Sequence, residues 1–303
     1  MRLKLFFILT SLLLCNTVAI GQNNKSLYDG SFIQFHLYGK GEPVFVLSGG
    51  PGNNCFHQED VAIKLGEKYQ AILLEQRGTG LSMPKELNSK TINLAAYLQD
   101  IIYVMDSLKI KKARFYGHSW GVHYALAFAL EHPERVASIV GVSPGYLKFD
   151  SKLNKQLYEI RMSKLTTVQR KQYNTFAKKN PDKLSESELQ EFANLRALVN
   201  VYDTTNQAWK FAKILRSNPT DQTNKLMNQD LEKINFNLRP NLKSLQMPIC
   251  IITCKEDAIT SIIPDFKEYI PNAEIIWMNH CGHYPMFEKP EEFYPKLMEV
   301  IAK

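Results

Sequence analysis

Apolar and polar positions along this chain fall into blocks with two different periods. Residues 43–47 read P-V-F-V-L, 69–74 read Y-Q-A-I-L-L and 136–142 read V-A-S-I-V-G-V. Runs this short and this continuously apolar predict strands buried on both faces of a sheet. Residues 247–253 and 273–278 predict two more strands of the same kind. Residues 30–38 alternate instead, with Phe32, Phe35 and Leu37 in phase, and predict an edge-like strand. Between the strands the period changes to that of a helix. Leu94, Tyr97, Leu98, Ile101, Ile102, Met105 and Leu108 share one helical face. The apolar run 122–130 predicts a further helix, which Pro133 stops. Residues 290–301 predict a closing helix with proline early in it, where a missing N–H is tolerated. Strands alternating with helices predict an α/β fold with a mostly parallel central sheet flanked by helices.

The alternation stops over residues 145–245. This segment is rich in Lys, Asn and Gln and helical in period. Ser185 and Glu188 form a capping-box pattern ahead of Leu189, Phe192, Leu195, Leu198 and Val199. Trp209, Ala212, Ile214 and Leu215 suit another helix. A helical insertion between two sheet strands predicts a lid over the strand ends, where the active sites of α/β proteins lie. The expected organisation is a core of residues 22–144 and 246–303 with the lid, 145–245, between them.

Residues 1–21 lie outside that core. Arg2 and Lys4 precede an apolar run at 5–14, and Ala19-Ile20-Gly21 places small residues where a signal peptidase reads. The expectation is export, periplasmic or secreted, with cleavage after Gly21. A lipid anchor on Cys15 is the alternative, with Leu14 where such signals need a small residue. Cleavage would leave no stable membrane span and would lower the formal charge from +7 to +5 by removing Arg2 and Lys4. The remaining basic residues are dispersed, without the clustered Lys/Arg and interleaved aromatics of a nucleic-acid footprint. Cys55, Cys250, Cys254 and Cys281 have no zinc spacing, and buried free thiols are expected rather than a bridge.

Candidate chemistry centres on residues 114–121, R-F-Y-G-H-S-W-G. A short apolar run meets G-x-S-x-G and then an apolar helix, the context that a nucleophile elbow requires. The glycines at 117 and 121 stand where side chains would collide with the turn. Acyl transfer by serine needs a hydroxyl, a base and a carboxylate that fixes the base's tautomer. Ser119, Asp257 and His283 each stand on a loop after a predicted strand, in the order nucleophile, acid, base. Glu256 rivals Asp257 and His280 rivals His283. His118, His123 and Cys281 read as packing or hydrogen-bonding residues, and Arg77 as a tie within its loop. The loop at 48–52, S-G-G-P-G, lacks the G-K-[ST] of a phosphate loop.

With these motifs in place the sequence resembles an α/β-hydrolase. Residues 48–52, E-Q-R-G-T-G-L-S at 75–82 and the G-H-S-W-G elbow make it similar to the prolyl aminopeptidase (proline iminopeptidase) branch. The resemblance covers nearly the whole chain outside the leader and lid. It implies that Ser119 is the nucleophile, Asp257 the acid and His283 the base. It assigns the oxyanion hole to the backbone N–H groups of Gly50 and Trp120, and implies no metal and no organic cofactor. Three departures stand out. Ser48 replaces a histidine and Glu75 an aspartate. Where the branch holds a free amine with lid glutamates, Trp209 is followed by Lys213, with Glu191 and Glu232 as other lid candidates.

The expected function is a serine hydrolase, first a peptidase resembling prolyl aminopeptidase. An esterase or amidase on small acyl substrates is the second reading, and a non-catalytic binding protein on the same fold the third. The expected partner is a small-molecule or short-peptide substrate. A dehalogenase or epoxide hydrolase would need aspartate at position 119.

Overall fold

A computed structural model describes residues 19–21, 32–179, 183–205, 210, 212, 221–260 and 263–303. Eight strands form one sheet: β1 (Ala19–Gly21), β2 (Phe35–Tyr38), β3 (Pro43–Leu47), β4 (Gln70–Leu74), β5 (Ala113–His118), β6 (Val136–Val142), β7 (Ile249–Cys254) and β8 (Glu274–Met278). Their spatial order is β1-β2-β4-β3-β5-β6-β7-β8. β1 and β2 run antiparallel to their neighbours, and the rest of the sheet is parallel.

Strand residues alternate between two cores, because successive side chains leave opposite faces of a strand. Phe45, Leu47, Ile72, Phe115, Ile139 and Ile251 pack on one face with helices α2 (Leu94–Ser107) and α3 (Trp120–Glu131). Val44, Val46, Leu73, Tyr116, Val140 and Ile252 pack on the other with α1 (Glu59–Gly66) and α10 (Pro290–Val300). Ten of the twelve residues of α3 are buried, so this helix is enclosed on all sides. A buried ion pair fixes the loop after β4: Arg77 Nε donates to Asp100 Oδ2 of α2 at 3.0 Å. Removing either partner would strand a charge away from water.

Between β6 and β7 come α4 (Ser151–Met162), α5 (Thr167–Ala177), α6 (Glu186–Leu198) and α7 (Asp221–Lys233). Both halves of the Ser185–Glu188 capping box form at the start of α6. Met162, Leu165, Phe176, Leu184, Leu195 and Val199 make a small separate core for these helices. The helix expected around 209–215 lies outside the described residues, apart from Lys210 and Ala212. Chain order then gives α8 (Ile263–Tyr269) and α9 (Pro285–Glu288).

Two expectations are corrected. The strand expected over 30–38 begins only at Phe35, and it is not the sheet edge, because β1 pairs along it from Ala19↔Leu37 to Gly21↔Phe35. Cys254 and Cys281, expected as free thiols, form a disulfide with Cα atoms 5.4 Å apart. Pairing brings the end of β7 beside the loop after β8, a contact that spacing in sequence does not report. Cys55 and Cys250 are buried free thiols.

The disulfide closes a separation of 27 residues, for which chain entropy gives roughly 3–4 kcal/mol of stabilisation. Replacing Cys254 and Cys281 together by serine should lower the urea midpoint accordingly, and reducing the wild type should reproduce the loss. A midpoint indifferent to both changes would show that the bridge does not support the fold.

Candidate functional site

All the predicted site residues that the structure describes in the core stand at the carboxyl end of the parallel sheet. Between β5 and α3, Ser119 takes φ 54° and ψ −116°, a left-handed backbone that L-residues rarely adopt. Close approach of strand and helix forces this turn. A Cβ on Gly117 would lie 2.5 Å from the backbone of Gly121, and one on Gly121 would lie 2.3 Å from the carbonyl of Leu47. The Ser119 N–H donates to the carbonyl of Val142 at 2.8 Å, which anchors the turn to β6. Trp120 opens α3, so its N–H lies at the positive end of the helix dipole.

Asp257 and His283 follow β7 and β8, and both are buried. His283 Nδ1 and Asp257 Oδ2 are 2.8 Å apart. Burial acts to raise the Asp257 pKa, but the charge and hydrogen bond of His283, with the field of Arg161, hold it below the ordinary carboxylate range. An ionised Asp257 can only accept, so His283 carries its proton on Nδ1 and leaves Nε2 as the basic atom.

The loop that carries His283 is held at several points. Its backbone N–H donates to the carbonyl of Asn200 at 2.7 Å. Glu288 accepts from Gly282 N–H at 2.8 Å and from Tyr202 N–H at 2.6 Å, joining the His283 loop to the segment after α6. His118 Nε2 donates to the carbonyl of His283 at 2.8 Å. The disulfide closes the same region, two residues before His283 and three before Asp257. His280 points elsewhere, with its ring against Tyr202.

Sequence reasoning missed the residues that shape the loop at 48–52. Gln76 Nε2 donates to the Ser48 carbonyl at 2.8 Å, to Ser48 Oγ at 2.6 Å and to the Gly49 carbonyl at 2.9 Å. His57 Nε2 accepts from Gly49 N–H at 3.3 Å while Nδ1 donates to the Asn54 carbonyl at 2.7 Å. The signal for Gln76 was its place in E-Q-R-G; for His57 there was none. Glu75 uses its extra methylene as a strut: one oxygen bonds His36 Nε2 at 2.7 Å and the other accepts from Leu81 N–H at 2.6 Å.

Ser119 and His283 open onto one cavity of about 840 Å³, roofed by α4, α5 and α6. A smaller lobe of about 170 Å³ lies beside it, lined by Trp120, His123, Phe149 and Arg161. Gly50 borders both. The described walls of the main cavity include Arg161 and Arg196 and no carboxylate. Glu191 bonds Gln172 on the surface and Glu232 is exposed on α7, so neither reaches it. Trp209 and Lys213 lie outside the described residues.

The buried histidines make stability depend on pH. Burial pushes His57 and His123 each down to about 4, from an ordinary 6.5. The unfolded chain therefore takes up protons near 6.5 and the folded chain only near 4. In that window the unfolded state holds more protons, so stability falls as pH falls, by about 1.4 kcal/mol per pH unit for each histidine. Urea midpoints should decline steadily from pH 6.5 to 4.5, and His57→Gln should make the decline shallower. A flat profile would mean that these rings are already charged in the fold.

A comparison with family models matches residues 42–290 to the alpha/beta hydrolase fold. A proline iminopeptidase of Heyndrickxia coagulans is 25% identical over 283 residues, 87% of this chain and 91% of the relative. A 2-hydroxy-6-oxononadienedioate/2-hydroxy-6-oxononatrienedioate hydrolase of Comamonas testosteroni is 26% identical over 92% of this chain and 94% of its own length. Among solved structures, a meta-cleavage product hydrolase from Pseudomonas fluorescens IP01 superposes with a TM-score of 0.70 at 22% identity, covering 93% of this chain and 98% of that one. Sheet order, elbow and family match agree, and the chain belongs to the α/β-hydrolase family.

Proposed function

We propose that this hydrolase works by acyl transfer, with Ser119 as nucleophile, His283 as base and Asp257 as the residue that fixes the base's tautomer. The observation that carries the reading is the 2.8 Å bond between His283 Nδ1 and Asp257 Oδ2, beside a serine held at φ 54° on the same cavity. Ser119 Oγ attacks the substrate carbonyl as Nε2 of His283 takes its proton. Collapse of the tetrahedral intermediate returns that proton to the leaving group. Water then repeats the sequence and frees the acid. The N–H groups of Trp120 and Gly50 would receive the developing oxyanion, each worth roughly 3–4 kcal/mol of barrier. Gln76 and His57 act as positioning residues for the loop that offers Gly50.

Cavity charge favours an ester or amide without a free α-amine. A compact cation is held in a buried site by carboxylates, and the described walls offer arginines instead. In favour of the prolyl aminopeptidase reading stand the motifs at 48–52, 75–82 and the elbow, and the similarity to the iminopeptidase of Heyndrickxia coagulans over 87% of this chain. Export is part of the proposal. The Cys254–Cys281 bridge supports it, since disulfides persist in oxidising compartments. Among the described residues, no helix is long and apolar enough to cross a membrane.

A fluorophosphonate should label the protein once, and Ser119→Ala should abolish labelling. Asp257→Asn should cost about four orders of magnitude in kcat while the fold is kept. A crippled Glu256→Gln beside an active Asp257→Asn would move the acid to the neighbouring residue. With a shared chromogenic leaving group, N-blocked prolyl and simple ester substrates should exceed free-amine prolyl substrates in kcat/KM; the reverse order would establish the aminopeptidase. The mature protein from its native host should begin at Gln22 by mass spectrometry, whereas lipidated Cys15 at its N-terminus would make it membrane-anchored.

A further inference from the structure

The lobe beside Ser119 is furnished with hydrogen-bond donors that lack acceptors. Arg161, on α4, lines both this lobe and the main cavity. Its Nε is buried and has no partner among the described residues. Trp120 Nε1, in the same lobe, is likewise buried and unpartnered. Both groups can only donate. Leaving a buried donor without an acceptor is unfavourable, so two such donors on residues that line one lobe beside the nucleophile mark a place that a ligand completes.

The charge of the surroundings says which ligand. No carboxylate lines the lobe among the described residues, and the field of Arg161 reaches Asp257, His118 and Tyr284 around the site. Asp257, the buried carboxylate nearby, is engaged by His283. Arg196 adds a second guanidinium to the main cavity, steadied 5.7 Å over the ring of Phe192. Neither arginine has an ion pair among the described residues. A guanidinium is permanently charged and its planar fork suits a carboxylate. At about 170 Å³ the lobe has room for a carboxylate on a short stem and little more.

We infer that the substrate is a small ester or amide bearing a second, anionic group, and that Arg161, with Trp120 Nε1, receives that group in the lobe beside Ser119. The inference rests on the acyl-transfer reading of the site. The anion belongs either to the acyl part or to the leaving group, and the lobe's chemistry is the same for both.

Two matched substrate pairs separate these sources. Monomethyl glutarate against methyl pentanoate places the charge on the acyl side. 4-Acetoxybenzoate against 4-acetoxybenzamide places it on the leaving group. In at least one pair the anionic member should be favoured tenfold or more in kcat/KM, equivalent to about 1.4 kcal/mol. Arg161→Gln should bring that ratio to within about threefold of one, chiefly by raising KM for the anionic member. Arg161→Lys should recover part of the preference, and Trp120→Phe should lose a smaller part. Wild-type protein that treats both pairs alike, or a folded Arg161→Gln variant that keeps the preference, overturns the inference. Failure of the underlying reading looks different: no ester is turned over and Ser119 resists the fluorophosphonate. Calorimetry with free glutarate then decides the anion site by itself, with binding to the wild type and none to Arg161→Gln expected, and no binding to either overturning it.

Discussion

The site depends on one steric constraint, the approach of the first turn of α3 to the ends of β3 and β5. No side chain fits at 117 or 121 without entering backbone atoms of the neighbouring turn or of Leu47. The approach leaves Ser119 in the left-handed region and sets it at the rim of the cavity. It also aims the start of an enclosed helix at the same point, so the strained residue and the helix dipole act at one place. Enclosure supplies the restoring force. Ten buried residues fix α3, and the helix cannot withdraw to relieve the turn without opening the core.

The remaining groups are brought to that point by loops, and loops need ties. Each tie links the site to a different part of the fold. Gln76 couples the loop after β3 to the loop after β4, and Glu288 couples the His283 loop to the helical insertion. The carbonyl of Asn200, just past α6, accepts directly from the backbone of His283. The insertion is therefore more than a roof over the cavity. It supplies part of the scaffold that sets His283, and it supplies both arginines on the described cavity wall.

Period and composition made most of the fold legible. Residues 43–47 and 136–142 are apolar on both faces because both faces are covered, and the helix over 94–107 follows from one repeating stripe. The elbow was legible because its glycines answer a local collision. Asp257 and His283 were legible as residues after strands, and the structure brings them together. What could not be read depends on contacts distant in the chain. Cys254 meets Cys281 only because β7 and β8 pair. His57 accepts from Gly49 only because the 3₁₀ turn Cys55–Gln58 folds back under its loop. Arg161 carries no motif, and its meaning comes from lining both the main cavity, which His283 lines, and the smaller lobe, which Trp120 lines. Residues 30–38 alternate as an edge strand would, but no pattern within them reports the three-residue strand that covers β2.

On the export proposed above, that short strand would tie maturation to the shape of the sheet. Ala19–Gly21 is β1, and the processing point read from the sequence falls immediately after Gly21. A peptidase cutting there would remove the whole of β1, so precursor and mature protein would differ in which strand is outermost. As the chain stands, β1 pairs along one side of β2; after such a cut the N–H and C=O groups on that side would face outward as an unpaired rim. The leader would then act as a temporary cover for a sticky margin, in place while the chain is nascent and discarded on the far side of the membrane. There the margin would be free to accept a strand from another molecule.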